Sequence, residues 1–228
     1  MVGFFARAGY SYASRYIVNA SLRLDGSSRF VGNRWGLFPS ISASWRLSDE
    51  KFMKWSKKVL TDAKLRYSWG MTGVQSIGNY EAINTYTINH YYNGTTAVYQ
   101  NSRLANINLS WEASGMNNLG IDLAFLGGRV TFSADWYRKS TKDLLAMEQI
   151  PSEMGVSNMR VNLGSIRNEG FELTASGYPI RNRNFSWQTG FNISFNKNKI
   201  TKLEGGTAYL EGGRYWIEEG GPIGQWYG

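Results

Sequence analysis

The chain is 228 residues long, with 25 Lys and Arg against 17 Asp and Glu and a net charge of +8. It holds no cysteine and one histidine, His90, which excludes disulfide frameworks, thiolate metal sites and catalytic pairs built on two histidines. Aromatic residues at 15% beside charged residues at 18% depart from the composition of a soluble enzyme, and the scattered basic residues lack the runs that mark a nucleic-acid partner.

No apolar run approaches the ~20 residues of a membrane-spanning helix. The mean hydropathy of −0.38 still permits a membrane, because lipid-facing and lumen-facing residues alternate in a barrel strand and average out. Residues 1–12 carry no basic leader followed by a long apolar stretch. The sequence is therefore expected to start downstream of its protein's true N-terminus.

Period-2 alternation is the dominant pattern, and it predicts half-buried strands. Residues 4–12 form the first candidate, and Ala13, Ser14 and Arg15 a tight turn. In the second strand Tyr16, Val18, Ala20, Leu22 and Leu24 oppose Asn19, Ser21, Arg23 and Asp25. A polar loop, 26–35, leads to a third strand with Pro39 at its start, where proline is tolerated. Ile41, Ala43, Trp45 and Leu47 alternate there with Ser40, Ser42, Ser44 and Arg46. Residues 48–58 space Phe52 and Trp55 as a short helix would, and Lys51 to Lys58 read as a solvated turn.

Strand four is 63–72, and 73–110 is a long break, a length that is usually functional or mobile. Strand five covers about 111–126, Gly127 and Gly128 close a hairpin, and strand six is 129–141. A polar loop with Pro151 spans 142–162, strand seven 164–176 and a turn 177–184. In the last strand Phe185, Trp187, Thr189, Phe191, Ile193 and Phe195 alternate with Ser186, Gln188, Gly190, Asn192 and Ser194.

Short connections alternate with long ones, and rings gather at strand ends at Tyr10, Tyr12, Tyr16, Trp45, Trp136 and Trp187. That pairing of features belongs to outer-membrane barrels with aromatic girdles. The expected fold is all-β: about eight antiparallel strands in a meander, forming a transmembrane barrel segment that stays an open curved sheet. One face should carry Val18, Leu22, Trp45, Leu65, Trp69, Leu123, Phe132, Leu173, Phe191 and Ile193. The other should carry Arg23, Arg46, Lys64, Arg66, Asp122 and Glu172. Residues 4–12 and 185–200 should be free edges, and an open trough should need no tight ion-pair network inside.

Several phrases, in order, resemble the SusC/RagA group of TonB-dependent outer-membrane transporters. They are LRLDGSSRF (22–30), FPSISASWRLSDEKF (38–52), KLRYSWGMTG (64–73), NNLGIDLAFL (117–126), DWYRKSTKDLL (135–145), NLGSIRNEGFEL (162–173), FNISFNKNKI (191–200) and GGPIGQWYG (220–228). The resemblance implies that residues 1–228 are part of a receptor barrel domain, with neither plug nor closing C-terminal strand. It also implies nutrient import, of glycans or peptides, with a SusD-like surface lipoprotein and TonB as partners of the parent protein. No cofactor is implied.

Asp122, Asp135 and Glu172 fall on the polar face. They serve a solvated lumen better than a carboxylate pair for glycoside hydrolysis, which needs a spacing of roughly 5–9.5 Å across a substrate. Asp25 with Gly26 reads as a turn rather than a calcium loop, and His90 as a loop residue. The loop aromatics Trp35, Tyr86, Tyr91, Tyr92 and Tyr99 are the candidate residues for stacking on a sugar or packing against a lid protein. Two alternatives stay open: a small passive porin-like barrel, and a soluble β-sandwich that binds carbohydrate.

Overall fold

The computed structural model describes all residues except 101–102, 152, 154–155, 157, 204–208, 212–213 and 227–228, and leaves aside the side chains of 87–92, 96–100, 103 and 209–211. The strands are β1 (Val2–Tyr12), β2 (Tyr16–Gly26), β3 (Trp35–Arg46), β4 (Leu60–Val74), β5 (Tyr86–Tyr92), β6 (Thr95–Gln100), β7 (Arg103–Leu104) and β8 (Glu112–Phe125). They continue as β9 (Val130–Lys142), β10 (Leu145–Gln149), β11 (Asn158–Asn162), β12 (Ser165–Arg181), β13 (Ser186–Lys202), β14 (Tyr209–Glu211), β15 (Tyr215–Ile217) and β16 (Gln225–Trp226). Eight of them form one sheet in the order β1-β2-β3-β4-β8-β9-β12-β13. Every neighbouring pair is antiparallel. Among the described residues β1 and β13 do not pair, so the sheet is open.

Cross-strand partners share a face, and following them across the sheet assigns every position. Trp45 lies in one row with Leu65, Ile121, Ala134, Leu173 and Ile193. Val18, Leu22, Trp69, Leu123, Phe132 and Phe191 fall on the same side. Arg23, Arg46, Lys64, Arg66, Asp122 and Glu172 fall on the other. The apolar side is not buried: Phe191 is 64% exposed and Trp187 52%. A soluble sandwich would have covered it.

The rings at the short-turn end form a girdle. Tyr12 stacks on Tyr16 at 6.4 Å, and Tyr16 on Trp45 at 6.2 Å. On β13 the ring at that end is Trp187, six residues back from Ile193, which shares Trp45's row. With both rings in one membrane plane, six rises of ~3.3 Å over five inter-strand steps of ~4.8 Å give strands tilted by roughly 40°. This is the tilt of a membrane barrel.

Several sequence expectations need correction. Pro39 sits inside β3, opposite Leu22, rather than at its start. It is tolerated there because the β3–β4 ladder ends at Ser40 and Gly70, so no N–H is required on that side. Residues 48–58 are two 3₁₀ turns, Leu47–Asp49 and Lys51–Ser56, and Trp55 is 81% exposed. Strand seven runs on to Arg181 through an irregularity between Gly177 and Ile180, so the turn is confined to the residues around 182–185. The edge of β13 is partly covered: Ile200 donates to the Gly221 carbonyl at 2.9 Å and accepts from Gly220 at 2.8 Å.

The outward face is uncharged on β1–β4 and β8. On β9, β12 and β13 the uncharged stretch ends one row past Trp136, Phe171 and Phe195, where Arg138, Glu169 and Lys197 begin. The long breaks are also structured. Segment 73–110 contains the β5–β6 hairpin, and 142–162 contains β10, which pairs with β11, itself parallel to β7.

Candidate functional site

The inward face and the loops above it are the surfaces able to meet a solute. Across the middle of that face one row reads Gly9, Asn19, Ser42, Ser68, Asn118, Tyr137, Gly170 and Asn196. It carries no charge over the full width of the sheet. Small hydroxyls and amides there offer donors and acceptors without the strong ionic grip that would hold a solute in place. A hollow of about 590 Å³ lies on this face, lined by Ser21, Arg23, Phe38, Ser40, Arg66 and Asn118 among others.

Below that row stands an ion cluster, contrary to the expectation that an open trough needs none. Arg66 grips Asp122 through Nε at 2.6 Å and Nη2 at 2.9 Å, and its Nη2 also reaches Asp135 at 3.2 Å. The Ser133 hydroxyl is within reach of both carboxylates, 3.0 Å from Asp122 and 3.2 Å from Asp135. The cause is local. Two aspartates on adjacent strands repel whatever the solvent does, and one bidentate guanidinium between them removes the conflict. Gly120 makes room, since a β-carbon there would strike both the Arg66 guanidinium and the Asp135 carboxylate. With both carboxylates occupied this way, the cluster is a brace rather than an acid–base pair.

At the short-turn end Glu50 collects the girdle. It accepts from Tyr16 Oη at 2.5 Å, from Trp45 Nε1 at 3.1 Å and from Arg15 Nη1 at 3.3 Å. The hydrogen bond from Tyr16 leads the causes that hold the Glu50 carboxyl below the usual carboxylate range, followed by the one from Trp45. Each added donor favours the ionised form.

At the opposite end the long loops share one hydrophobic core of Phe30, Phe38, Ile77, Ala82, Leu109 and Trp111. Trp111 packs against Phe30 at 5.4 Å and edge-on to Phe38 at 5.6 Å, and its Nε1 donates to the Arg34 carbonyl at 3.2 Å. A β-carbon on Gly36 or Gly73 would collide with the Phe38 ring, which explains glycine at both positions. Polar ties reinforce the core. Arg160 pairs with Glu81 at 2.9 Å, and Asn162 bonds the carbonyls of Ser110 and Asp143 at 3.0 and 2.9 Å. Segments 27–34, 75–85 and 105–111, with Asp143, Leu145, Arg160 and Asn162, are thus one roof and not separate loops.

The proposed contact residues distribute unevenly. Trp35 is not a loop residue: it opens β3 on the outward face, pairs with Gly26 and stacks on Phe4 at 6.5 Å. An aromatic outward at the end of a strand belongs to the girdle on lipid. Tyr86 opens β5, is 59% exposed and pairs with Gln100. Tyr91 and Tyr92 lie in β5 and Tyr99 in β6, with side chains outside the described residues. His90 lies in β5 opposite Ala97. The roof core was missed from the sequence because Phe30, Ile77 and Leu109 come from separate polar segments that only the fold brings together. Gly36 and Gly73, both required by the Phe38 ring, are the trace that this core leaves in the sequence.

Three comparisons bear on this arrangement. Residues 1–224 match the family model described as TonB dependent receptor-like, beta-barrel. A TonB-dependent receptor of Formosa agariphila is 44% identical over 98% of this chain, which spans 21% of that protein. TonB-dependent receptor SusC of Bacteroides thetaiotaomicron is 40% identical, again over 98% of this chain and 22% of the relative. A solved structure of the RagAB peptide importer in its closed-closed state superposes with a TM-score of 0.89 at 29% identity, covering 97% of this chain and 24% of the other. The chain therefore spans about a fifth to a quarter of the length of the proteins it matches.

Proposed function

The chain belongs to the TonB-dependent receptor β-barrel family, and from that premise we propose that it forms part of the wall of an energy-coupled outer-membrane importer of oligosaccharides or peptides. The observation that carries this reading is the opposition of two faces on one open sheet. The outward face is apolar and exposed, as a lipid-facing wall must be, and the inward face is polar with a charge-free middle row. The cross-tied roof stands at the mouth where a solute would arrive, and the aromatics Tyr86, Tyr91, Tyr92 and Tyr99 on its hairpin are the proposed contacts for that solute or for a SusD-like surface lipoprotein. TonB would supply the energy from the inner membrane to the intact protein.

These 228 residues hold no cysteine, and single cysteines placed in them, in an intact barrel cleared of any other accessible cysteine, give a direct test. Thr174→Cys should react with a membrane-impermeant maleimide, and Ile193→Cys, one strand away on the outward face, should stay protected in a bilayer. Equal labelling of both would remove the wall from the membrane. Uptake of labelled oligosaccharides and oligopeptides should stop when TonB is deleted. Uptake that continues without TonB would favour a passive barrel.

A further inference from the structure

The charged residues on the outward face are confined to one sector. On β1–β4 and β8 the outward positions are uncharged from end to end. On β9, β12 and β13 the positions beyond the Trp136–Phe171–Phe195 row are Arg138, Glu169 and Lys197, then Ser140, Arg167 and Lys199, with Lys142 beyond on β9. Five bases stand against one acid. The acid is matched within the block, since Arg138 Nε meets Glu169 at 3.0 Å while the guanidinium lies over the Trp136 ring at 5.5 Å. Arg167 Nε is buried without a hydrogen-bond partner. Lys142, Lys197 and Lys199 are exposed and pair with no acid among the described residues.

We propose that this sector is a binding surface for a phosphorylated lipid headgroup of the outer leaflet. The inference rests on the membrane-wall reading above and adds a specific occupant to it. The block starts one row above a row of three rings, at the long-loop end, which is the depth at which aromatic belts give way to headgroups. Lysine and arginine reach such headgroups by laying their stems along the apolar surface. The surplus of four positive charges in three adjacent strands forms no ion pair among the described residues, and phosphate is the anion that a bilayer presents at that depth. Arg167, paired with Lys199 on the neighbouring strand, is half-buried and its Nε has no hydrogen-bond partner, so its guanidinium keeps donors for a phosphate oxygen.

The test uses the intact barrel in phosphatidylcholine nanodiscs doped with diphosphoryl lipid A or with its dephosphorylated form, and reads the lipid retained after purification by mass spectrometry. The unmodified protein should enrich the phosphorylated form by about tenfold, a modest part of what several basic residues near a membrane surface provide. The enrichment should fall with rising salt and resist inorganic phosphate at equal concentration. Arg167→Gln with Lys197→Gln and Lys199→Gln should abolish it, and the inward triple Arg46→Gln, Lys64→Gln and Lys139→Gln, which removes the same charge, should leave it. Equal retention of both lipids by the unmodified protein overturns the proposal, and so does displacement by inorganic phosphate. Disulfide linking of Lys197→Cys copies to one another in the bilayer would make a second copy the occupant and also overturn it. Enrichment that persists in a protein that imports nothing would sink the transport reading alone.

Discussion

Two sets of large apolar residues in this chain look alike in the sequence and behave oppositely in the structure. Phe30 and Leu109, in the roof, are fully buried, and Trp111 nearly so. Phe191, Phe195 and Trp187, on β13, are more than half exposed. The roof set is covered by protein and stabilises the loops wherever the chain folds. The sheet set is left for lipid and contributes only in a bilayer. Hydrophobic stabilisation of this molecule is therefore divided between two solvents, and each half can be perturbed without touching the other.

The largest effect is expected in the roof. Phe30→Ala or Leu109→Ala removes a side chain with no exposure and should cost about 3–5 kcal/mol of local stability, in detergent and bilayer alike. Hydrogen exchange over 27–34 and 105–111 would report it. Phe195→Ala should change detergent stability by well under ~1 kcal/mol, as befits an exposed site. Equal losses at Leu109 and Phe195 would erase the distinction between the two sets.

Charge insertion sharpens the comparison from the other side. Ile193→Arg places a cation mid-height on the outward face and should destabilise folding into vesicles by ~2–4 kcal/mol. Thr174→Arg, on the inward face, should be close to neutral. Urea titration of both variants in vesicles provides the measurement, and a comparable penalty for the two would contradict the assignment of faces.

A third comparison sits on the inward face. Arg66→Ala leaves Asp122 and Asp135 facing each other, and because all three side chains are partly solvated the cost should be only ~1–2 kcal/mol. Adding Asp122→Asn and Asp135→Asn to Arg66→Ala should recover most of it. Failure of that rescue, seen in the same titration, would mean the brace acts through packing rather than charge.

Much of the sheet was legible, and the reasons are specific. Period-2 alternation at Tyr16–Leu24 and Phe185–Phe195 marks both the strand and its lipid-facing side, because each residue slip would turn the apolar set inward. What stayed hidden depends on non-local partners. Pro39 reads as a strand start until the early end of the β3–β4 ladder is seen. Tyr178-Pro179 reads as a turn, yet Tyr178 N–H bonds the Arg129 carbonyl at 2.9 Å and prolongs the strand. Trp35 next to a Gly-rich loop reads as a loop aromatic until its register with Gly26 places it on the outside. The Arg66 cluster joins residues 56 and 69 positions apart, and no local pattern reveals such a pairing.

Glu50 provides a pH test at the girdle. Its carboxyl is held below its unfolded value by Tyr16 and Trp45. A group with a depressed folded pKa contributes stability above its unfolded pKa and loses it as pH falls through the folded one. Glu50→Gln should therefore be less stable than the unmodified protein at neutral pH, and the difference should close in the acid range below the ordinary glutamate value. Urea titrations of both proteins across the acid range follow it, and a gap unchanged by acid would remove the carboxylate from the girdle.

The smallest effect compares two turns at the same end of the sheet. The β1–β2 turn uses Ala13 at φ 50° and Ser14 at φ 55°, and the β8–β9 turn uses Leu126 at φ 52° followed by Gly127 at 67° and Gly128 at 81°. Tight hairpins demand this left-handed backbone because it matches the twist of the strands. A residue with a β-carbon is strained there by about 1–2 kcal/mol. Glycine relieves that strain but enters folding with a freer unfolded chain, which offsets roughly 0.5–1 kcal/mol. Ala13→Gly should thus stabilise the hairpin by no more than ~1 kcal/mol, and Gly127→Ala should destabilise its counterpart by a similar amount. Ala13 is exposed, so the sign isolates the backbone. Denaturant midpoints of both variants in the same detergent decide it: a loss at Ala13→Gly would show that the β1–β2 turn is held by its neighbours Arg15 and Glu50 and not by its own dihedral angles.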